Sequence, residues 1–193
     1  AGNYISSLYS DPAGTLWVGS SGRGIATVSP KHEVTPRDLN EEFTPLCMTA
    51  DNEGNIWIGT ESQGVIVTDG NEIVLRLSEN DGLLGNYISL ITTDNDNNIY
   101  IGTSRGLNRY NTQNRKLYSY TRSNGFTGIE AKRNASFADR DGRVWFGTVD
   151  GCMVYNHSLY REELTEPITH LTRIRVNYEE RDIEDNMKLG YRD

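Results

Sequence analysis

One ten-residue phrase occurs four times in this chain, and it constrains the fold more than any other feature. It reads DPAGTLWVGS at 11–20, DNEGNIWIGT at 51–60, DNDNNIYIGT at 94–103 and DRDGRVWFGT at 139–148. The leading aspartates, Asp11, Asp51, Asp94 and Asp139, are spaced 40, 43 and 45 residues apart. Self-similarity at that period is the mark of a repeat architecture, in which each unit buries its apolar face only against a neighbour.

Each unit reads as four strands. A short apolar strand comes first: YISSLYS (4–10), PLCMTA (45–50), YISLITT (87–93) and NASFA (134–138). An Asp-x-x-Gly turn follows. Its Asp can accept backbone N–H bonds, and its Gly supplies a positive φ. Asn97 replaces that Gly in the third unit, and Asn is the side chain that best tolerates the left-handed region. The second strand is apolar on both faces, with Ile56 and Ile58 on one side and Trp57 on the other. A strand of that kind must be covered on both sides. Gly19, Gly59, Gly102 and Gly147 leave room beside the aromatic for the bulk of a neighbouring unit. The third strand follows a second glycine, and the fourth, as in EIVLRLSE and RKLYSYTR, is polar enough to lie outermost. Helical repeats of similar period would need apolar residues at i, i+3, i+4 and i+7, and Gly, Asn, Asp and β-branched residues break every such window. The expected fold is all-β: a partial β-propeller of about four blades of four antiparallel strands over 1–165. The first strands of a β-sandwich are expected over 166–193.

The 193 residues carry a formal net charge of −8. That balance disfavours a duplex nucleic-acid partner or an anionic membrane surface and leaves neutral ligands open. No apolar run approaches the ~18 residues of a membrane helix, and the chain opens inside a repeat. Cys47 and Cys152 fall in different strands of different units and are expected to be two buried free thiols.

Catalytic and metal-binding patterns are weak. His32, His157 and His170 are far apart and outside ligand spacing. Asp94, Asp96 and Asn98 alternate as calcium ligands would, but Arg105 holds the twelfth position, where a bidentate Glu belongs. The Glu pairs at 41–42, 162–163 and 179–180 read as solvated surface. Trp17, Trp57, Tyr100 and Trp145 recur at one blade position, which argues for core over sugar stacking. No cofactor and no metal are expected, and no catalytic residue is named.

The pattern D-x-x-G-x-x-W-x-G-T, followed within a few residues by Gly, resembles the two-component regulator propeller repeat. The segment NDGLLGNYISLITTDNDNNIYIGTSRGLNRYN (80–111) carries the resemblance most fully, and NGFTGIEAKRNASFADRDGRVWFGTVDGCMVYN (124–156) is similar to the family's last repeat. EPITHLTRIRVNYEERD (166–182) resembles the lead-in to the immunoglobulin-like Y_Y_Y domain, and NMKLGYRD (186–193) its next strand. The resemblance implies a periplasmic sensor region joined through a membrane helix to a histidine kinase or another output domain. In gut Bacteroidetes such regions often sense oligosaccharides. Family rings usually have more than four blades, so exposed blade faces are expected to meet other blades or a second copy of the chain.

Ligand contacts are expected on loops, which a rigid scaffold can vary freely. Arg23, Gln63, Arg105, Arg133 and Asp150 are the candidates for polar contact. The function expected is a non-enzymatic sensor fragment that binds an oligosaccharide and signals across the membrane. The alternatives are a propeller glycan lyase or hydrolase, and an association scaffold without a ligand.

Overall fold

The computed structural model describes residues 4–156, apart from 125, 127 and 129, and the short segments 174–176 and 179–181. The chain divides into two units, Ala1–Leu159 and Tyr160–Asp193. The first is all-β. Its strands run β1 (Ile5–Ser10), β2 (Leu16–Ser20), β3 (Gly24–Val28), β4 (Val34–Arg37), β5 (Pro45–Ala50), β6 (Ile56–Thr60), β7 (Val65–Thr68), β8 (Ile73–Leu77), β9 (Leu90–Thr93), β10 (Asn98–Thr103), β11 (Gly106–Asn111), β12 (Lys116–Tyr120), β13 (Ala131–Ala138), β14 (Arg143–Thr148) and β15 (Gly151–Asn156). Consecutive strands pair antiparallel into sheets β1–β4, β5–β8, β9–β12 and β13–β15. These are four blades of a propeller. The fourth blade shows three strands where four are expected; the segment after Asn156 lies outside the described residues. In the second unit β16 (Ile174–Val176) pairs antiparallel with β17 (Glu179–Arg181). The rest of the expected sandwich start, including 186–193, also lies outside the described residues.

The Asp-x-x-Gly turns share one construction. The Asp carbonyl accepts from the N–H three residues on, in Gly14, Gly54, Asn97 and Gly142. Asn97 has φ 63°, the left-handed conformation that its three glycine counterparts also adopt. One carboxylate oxygen accepts the N–H four residues on, from Thr15, Asn55, Asn98 or Arg143. The other accepts from the aromatic six residues on: Trp17 Nε1 at 3.0 Å, Trp57 Nε1 at 2.9 Å, Tyr100 Oη at 2.9 Å and Trp145 Nε1 at 2.9 Å. Each blade thus pins its own aromatic ring with its own turn. A ring N–H or O–H is a donor that must be satisfied when buried, and the turn carboxylate satisfies it.

The pinned ring then packs into the next blade. Trp17 shares a core with Ile56, Ile58 and Ile66 of blade 2. Trp57 shares one with Ile99, Ile101 and Tyr110 of blade 3. Tyr100 shares one with Val144 and Phe146 of blade 4. Ile56 and Ile58 therefore face the opposite side from Trp57, as the alternation predicts. Full burial of each such aliphatic side chain is worth about 1.5–3 kcal/mol.

A glycine sits at the centre of each joint. A Cβ on Gly19 would lie 2.8 Å from Pro45, one on Gly59 2.6 Å from Ile88, and one on Gly102 2.7 Å from Ala131. Each of those partners belongs to the next blade, so the missing side chain lets the neighbouring inner segment seat against the strand. A Cβ on Gly147 would meet only Ala135 of its own blade.

The expectation of two buried thiols holds for one. Both cysteines are free, but only Cys47 is buried, and Cys152 is exposed. Cys152 lies opposite Gly147 in β15, on the face of blade 4 that no following blade covers among the described residues. Burial pushes the Cys47 thiol up to about 12. Trp145 shares that uncovered face and is half-buried, whereas Trp17, Trp57 and Tyr100 are buried.

Candidate functional site: the loop face and the axial cavity

Two sets of loops share one end of the propeller. The turns between second and third strands are hydrogen-bonded to the blade-to-blade connections. Gly24 N donates to Phe43 O, Gly64 N to Asn86 O, Ile88 N to Thr60 O and Val149 N to Glu130 O. The five candidate residues are distributed around this end and do not converge. Arg23 and Asp150 are exposed in their own turns. Gln63 is half-buried; its Nε2 donates to Glu42 O at 3.2 Å, while its Oε1 is buried without a hydrogen-bond partner. Arg105 pairs with Glu79 at 3.1 Å and donates to Leu84 O at 3.3 Å. Arg133 is on β13, and donates to the Ser6 carbonyl of β1 at 2.8 Å. One guanidinium nitrogen of Arg105 and one of Arg133 are therefore bonded to the scaffold. Among the described residues, no hydrogen bond or ion pair joins any two of the five.

A concave feature lies elsewhere. Inner strands β1, β5, β9 and β13 surround a cavity of about 590 Å³. Its polar lining includes Ser6, Ser7, Thr49, Thr92, Asn134 and Ser136, and its apolar lining includes Leu8, Met48 and Ile91. No lining residue is charged. Some hydroxyls are used internally: Ser7 Oγ donates to Pro45 O, and Thr49 Oγ1 meets Thr93 Oγ1 at 3.1 Å. Ser6 Oγ is buried with no hydrogen-bond partner. Such a wall offers hydroxyl and amide groups beside aliphatic surface, a match for ligands that carry many hydroxyls and no charge. The sequence signal for it was small polar residues set into otherwise apolar first strands.

The Asp turns, at the opposite end of the strands, are electrostatically occupied. The Asp94 carboxylate accepts from Asp96 N, Asn98 N, Asn98 Nδ2 and Tyr100 Oη. The acidic turn is therefore held by its own donors, and among the described residues no group of three His, Cys, Asp or Glu could hold a metal ion. Burial, and then the nearby Asp94 charge, raise the Tyr100 phenol, so it stays a donor. For Asp11, burial opposes the charged form, but bonds from Trp17, Thr15 and Ala13 outweigh it and hold the carboxyl below its ordinary range.

The hydrogen bond from Trp145, then those from the Arg143 backbone and guanidinium, hold Asp139 down to about 2. A depressed carboxyl contributes stability that is present above its unfolded value, near ~4, and that is lost as pH falls through its folded value. Blade 4 should therefore loosen between about pH 4 and pH 2. Carboxyl NMR should find Asp139 titrating near 2 in the native chain and nearer ~4 in Trp145→Phe, which removes the indole donor. An ordinary native value would refute the arrangement.

The two-component regulator propeller family matches residues 1–22, 38–62 and 82–105. No curated protein matches the chain. The fold is found in solved structures. Two are described as extracellular domains of hybrid two-component systems of B. thetaiotaomicron. One is 20% identical with TM-score 0.66, covering 84% of this chain and 24% of its own length. The other is 21% identical with TM-score 0.68, covering 82% and 24%. Virginiamycin B lyase from Staphylococcus aureus is 17% identical with TM-score 0.57, covering 78% of this chain and 55% of its own. This chain thus spans about a quarter of the length of the two extracellular domains. Among the described residues, no helix is long and apolar enough to cross a membrane. With the Asp turn, pinned aromatic and joint glycine in place, the first three repeats of this chain carry the segments that match the two-component regulator propeller family.

Proposed function

We propose that this chain is the ligand-sensing propeller segment of a two-component signalling protein, displayed in the periplasm, and that it binds a neutral oligosaccharide without turning it over. The observation that carries the reading is the uncharged, hydroxyl-lined cavity about which the inner strands of regulator-type repeats converge. Sugar hydroxyls would pair with Ser6, Thr49 and Asn134, and the C–H faces of the rings would lie on Met48 and Ile91. A histidine kinase or other output domain would read the ligand through its differential affinity for two arrangements of the receptor. The likeness to extracellular domains of hybrid two-component systems supports this placement.

Isothermal calorimetry against a panel of neutral and anionic oligosaccharides tests it. A neutral ligand should bind, and Ser6→Ala with Asn134→Ala should weaken that binding roughly tenfold or more, the equivalent of one or two lost hydrogen bonds. No binding by any neutral member would overturn the ligand class. The likeness to a propeller lyase gives the competing outcome a definite form: new reducing ends or unsaturated products would make the segment an enzyme.

A further inference from the structure

The joint between blades 2 and 3 differs from those on either side of it in what covers the pinned ring. In the joint of blades 1 and 2, the Arg37 guanidinium lies over Trp17, 5.8 Å from the ring centroid, and donates to Thr27 Oγ1 and Gly70 O. In the joint of blades 3 and 4, the Arg109 guanidinium lies 4.6 Å from the Tyr118 centroid and donates to Tyr155 Oη at 3.3 Å. Arg109 stands opposite the pinned Tyr100; the same place opposite Trp57 holds Val67. Tyr110 in blade 3 corresponds to Tyr155 in blade 4, the two standing opposite Ile99 and Val144. The middle joint therefore keeps the tyrosine but has no arginine at the Arg109 position. A groove of about 350 Å³ remains there, lined by Trp57, Val67 and Leu75 of blade 2 and Tyr110 of blade 3, with Glu53 and Arg115 also on its wall.

The polar groups of this groove fall into two sets. The Asp51 carboxylate is occupied, accepting from Glu53 N, Asn55 N, Asn55 Nδ2 and Trp57 Nε1. The Thr112 hydroxyl is occupied as well, donating to Asn97 O and accepting from Asn97 Nδ2. Tyr110 is only 6% exposed, yet its hydroxyl has no hydrogen-bond partner among the described residues. A buried phenol usually finds one. Burial raises that phenol and the Arg115 charge opposes the rise, which puts the guanidinium within electrostatic reach of the hydroxyl. Arg115 itself makes no hydrogen bond or ion pair among the described residues. Glu53 has only a 3.5 Å bond from Asn55 Nδ2. One groove thus holds a carboxylate, a guanidinium and a phenol, none of them bonded to another, beside an apolar wall.

We propose that this groove is a second binding site, and that it takes a free α-amino acid with an apolar side chain. The ligand's ammonium group meets Glu53 and donates to Tyr110 Oη, as the Arg109 guanidinium does to Tyr155 Oη in the next joint. Its carboxylate meets Arg115, and its side chain lies on Val67, Leu75 and the Trp57 ring. Opposite charges on one wall select a zwitterion over a neutral sugar or a simple cation. The volume is at the lower end of the ~300–1,000 Å³ usual for small-molecule pockets, which suits a ligand the size of one residue.

NMR titration of the whole chain with leucine and with phenylalanine tests the proposal. Either ligand should shift the Trp57 indole N–H and leave that of Trp17 in place. N-acetyl-leucine, which lacks the ammonium group, and leucine amide, which lacks the carboxylate, should each bind at least tenfold more weakly than leucine. Glu53→Gln and Arg115→Gln change exposed side chains, so each should keep its circular dichroism while weakening leucine roughly tenfold, the equivalent of one lost charged hydrogen bond. Tyr110→Phe keeps the ring against Trp57 and should weaken leucine several-fold. Ser6→Ala with Asn134→Ala, in the axial cavity, should leave leucine binding unchanged, which keeps this site distinct from the proposed sugar site. An unmoved Trp57 indole at millimolar leucine and phenylalanine would overturn the proposal. So would blocked forms that bind as tightly as leucine, or undiminished binding by Glu53→Gln combined with Arg115→Gln.

Discussion

Trp57→Ala is expected to lower the free energy of unfolding by about 3–5 kcal/mol, and Trp145→Ala, at the same position of the last repeat, by roughly 1 kcal/mol. Both indoles donate to their turn carboxylate at 2.9 Å. They differ in what lies beyond the ring. Trp57 is 2% exposed and packs on Tyr110, with ring centroids 5.1 Å apart, and on the isoleucines of blade 3. Trp145 has no following blade across its face among the described residues. The comparison therefore separates the joint from the turn bond, because the turn bond is common to both variants. Urea unfolding with a shared m-value would measure it. Equal losses would mean that the turns, and not the joints, hold the array together.

Asp94→Ala should cost about 3 kcal/mol or more, although it removes only a small side chain. Asp94 is the most buried of the four turn aspartates, and its carboxylate serves the fully buried Tyr100 hydroxyl and both nitrogens of Asn98. Deleting it leaves these donors without an acceptor in a site closed to water, and each orphan costs roughly 1–3 kcal/mol. Tyr100→Phe alone should cost only about 1 kcal/mol, since the carboxylate keeps its other donors. In the Asp94→Ala background, Tyr100→Phe should be neutral or stabilising, because it deletes an orphan. A double-mutant cycle reads this coupling directly. Simple additivity of the two losses would show that the hydroxyl and the carboxylate do not depend on each other.

The parts of the fold legible in the sequence are those set by local chemistry. The turn follows from Asp and Gly three apart, and Asn97 confirmed the conformational need by meeting it. The two-sided strand follows from Ile56, Trp57 and Ile58, and the joint glycine from the bulk beside it. What could not be read depends on distant residues. Cys152 has the same strand position as Val65 and so reads as buried; it is exposed because no following blade covers β15 among the described residues, which its own segment does not reveal. Arg105 and Arg133 read as loop cations, but Glu79 lies 26 residues from Arg105 and Ser6 lies 127 from Arg133. No local stretch of sequence contains those partners. The axial cavity is the extreme case. Its wall is drawn from residues 5 to 136, and Ser6 or Asn134 acquires meaning only when four separate strands are brought to one axis.

The Asp-to-aromatic bond lies wholly within one repeat, while the glycine sockets of the first three blades each receive the following one. A forty-odd-residue module therefore carries its own anchor and a standard coupling. Tandem duplication or loss of a module would leave every remaining coupling chemically intact. The ring's size is then free to drift by genetic copying, without any compensating change in the modules that stay.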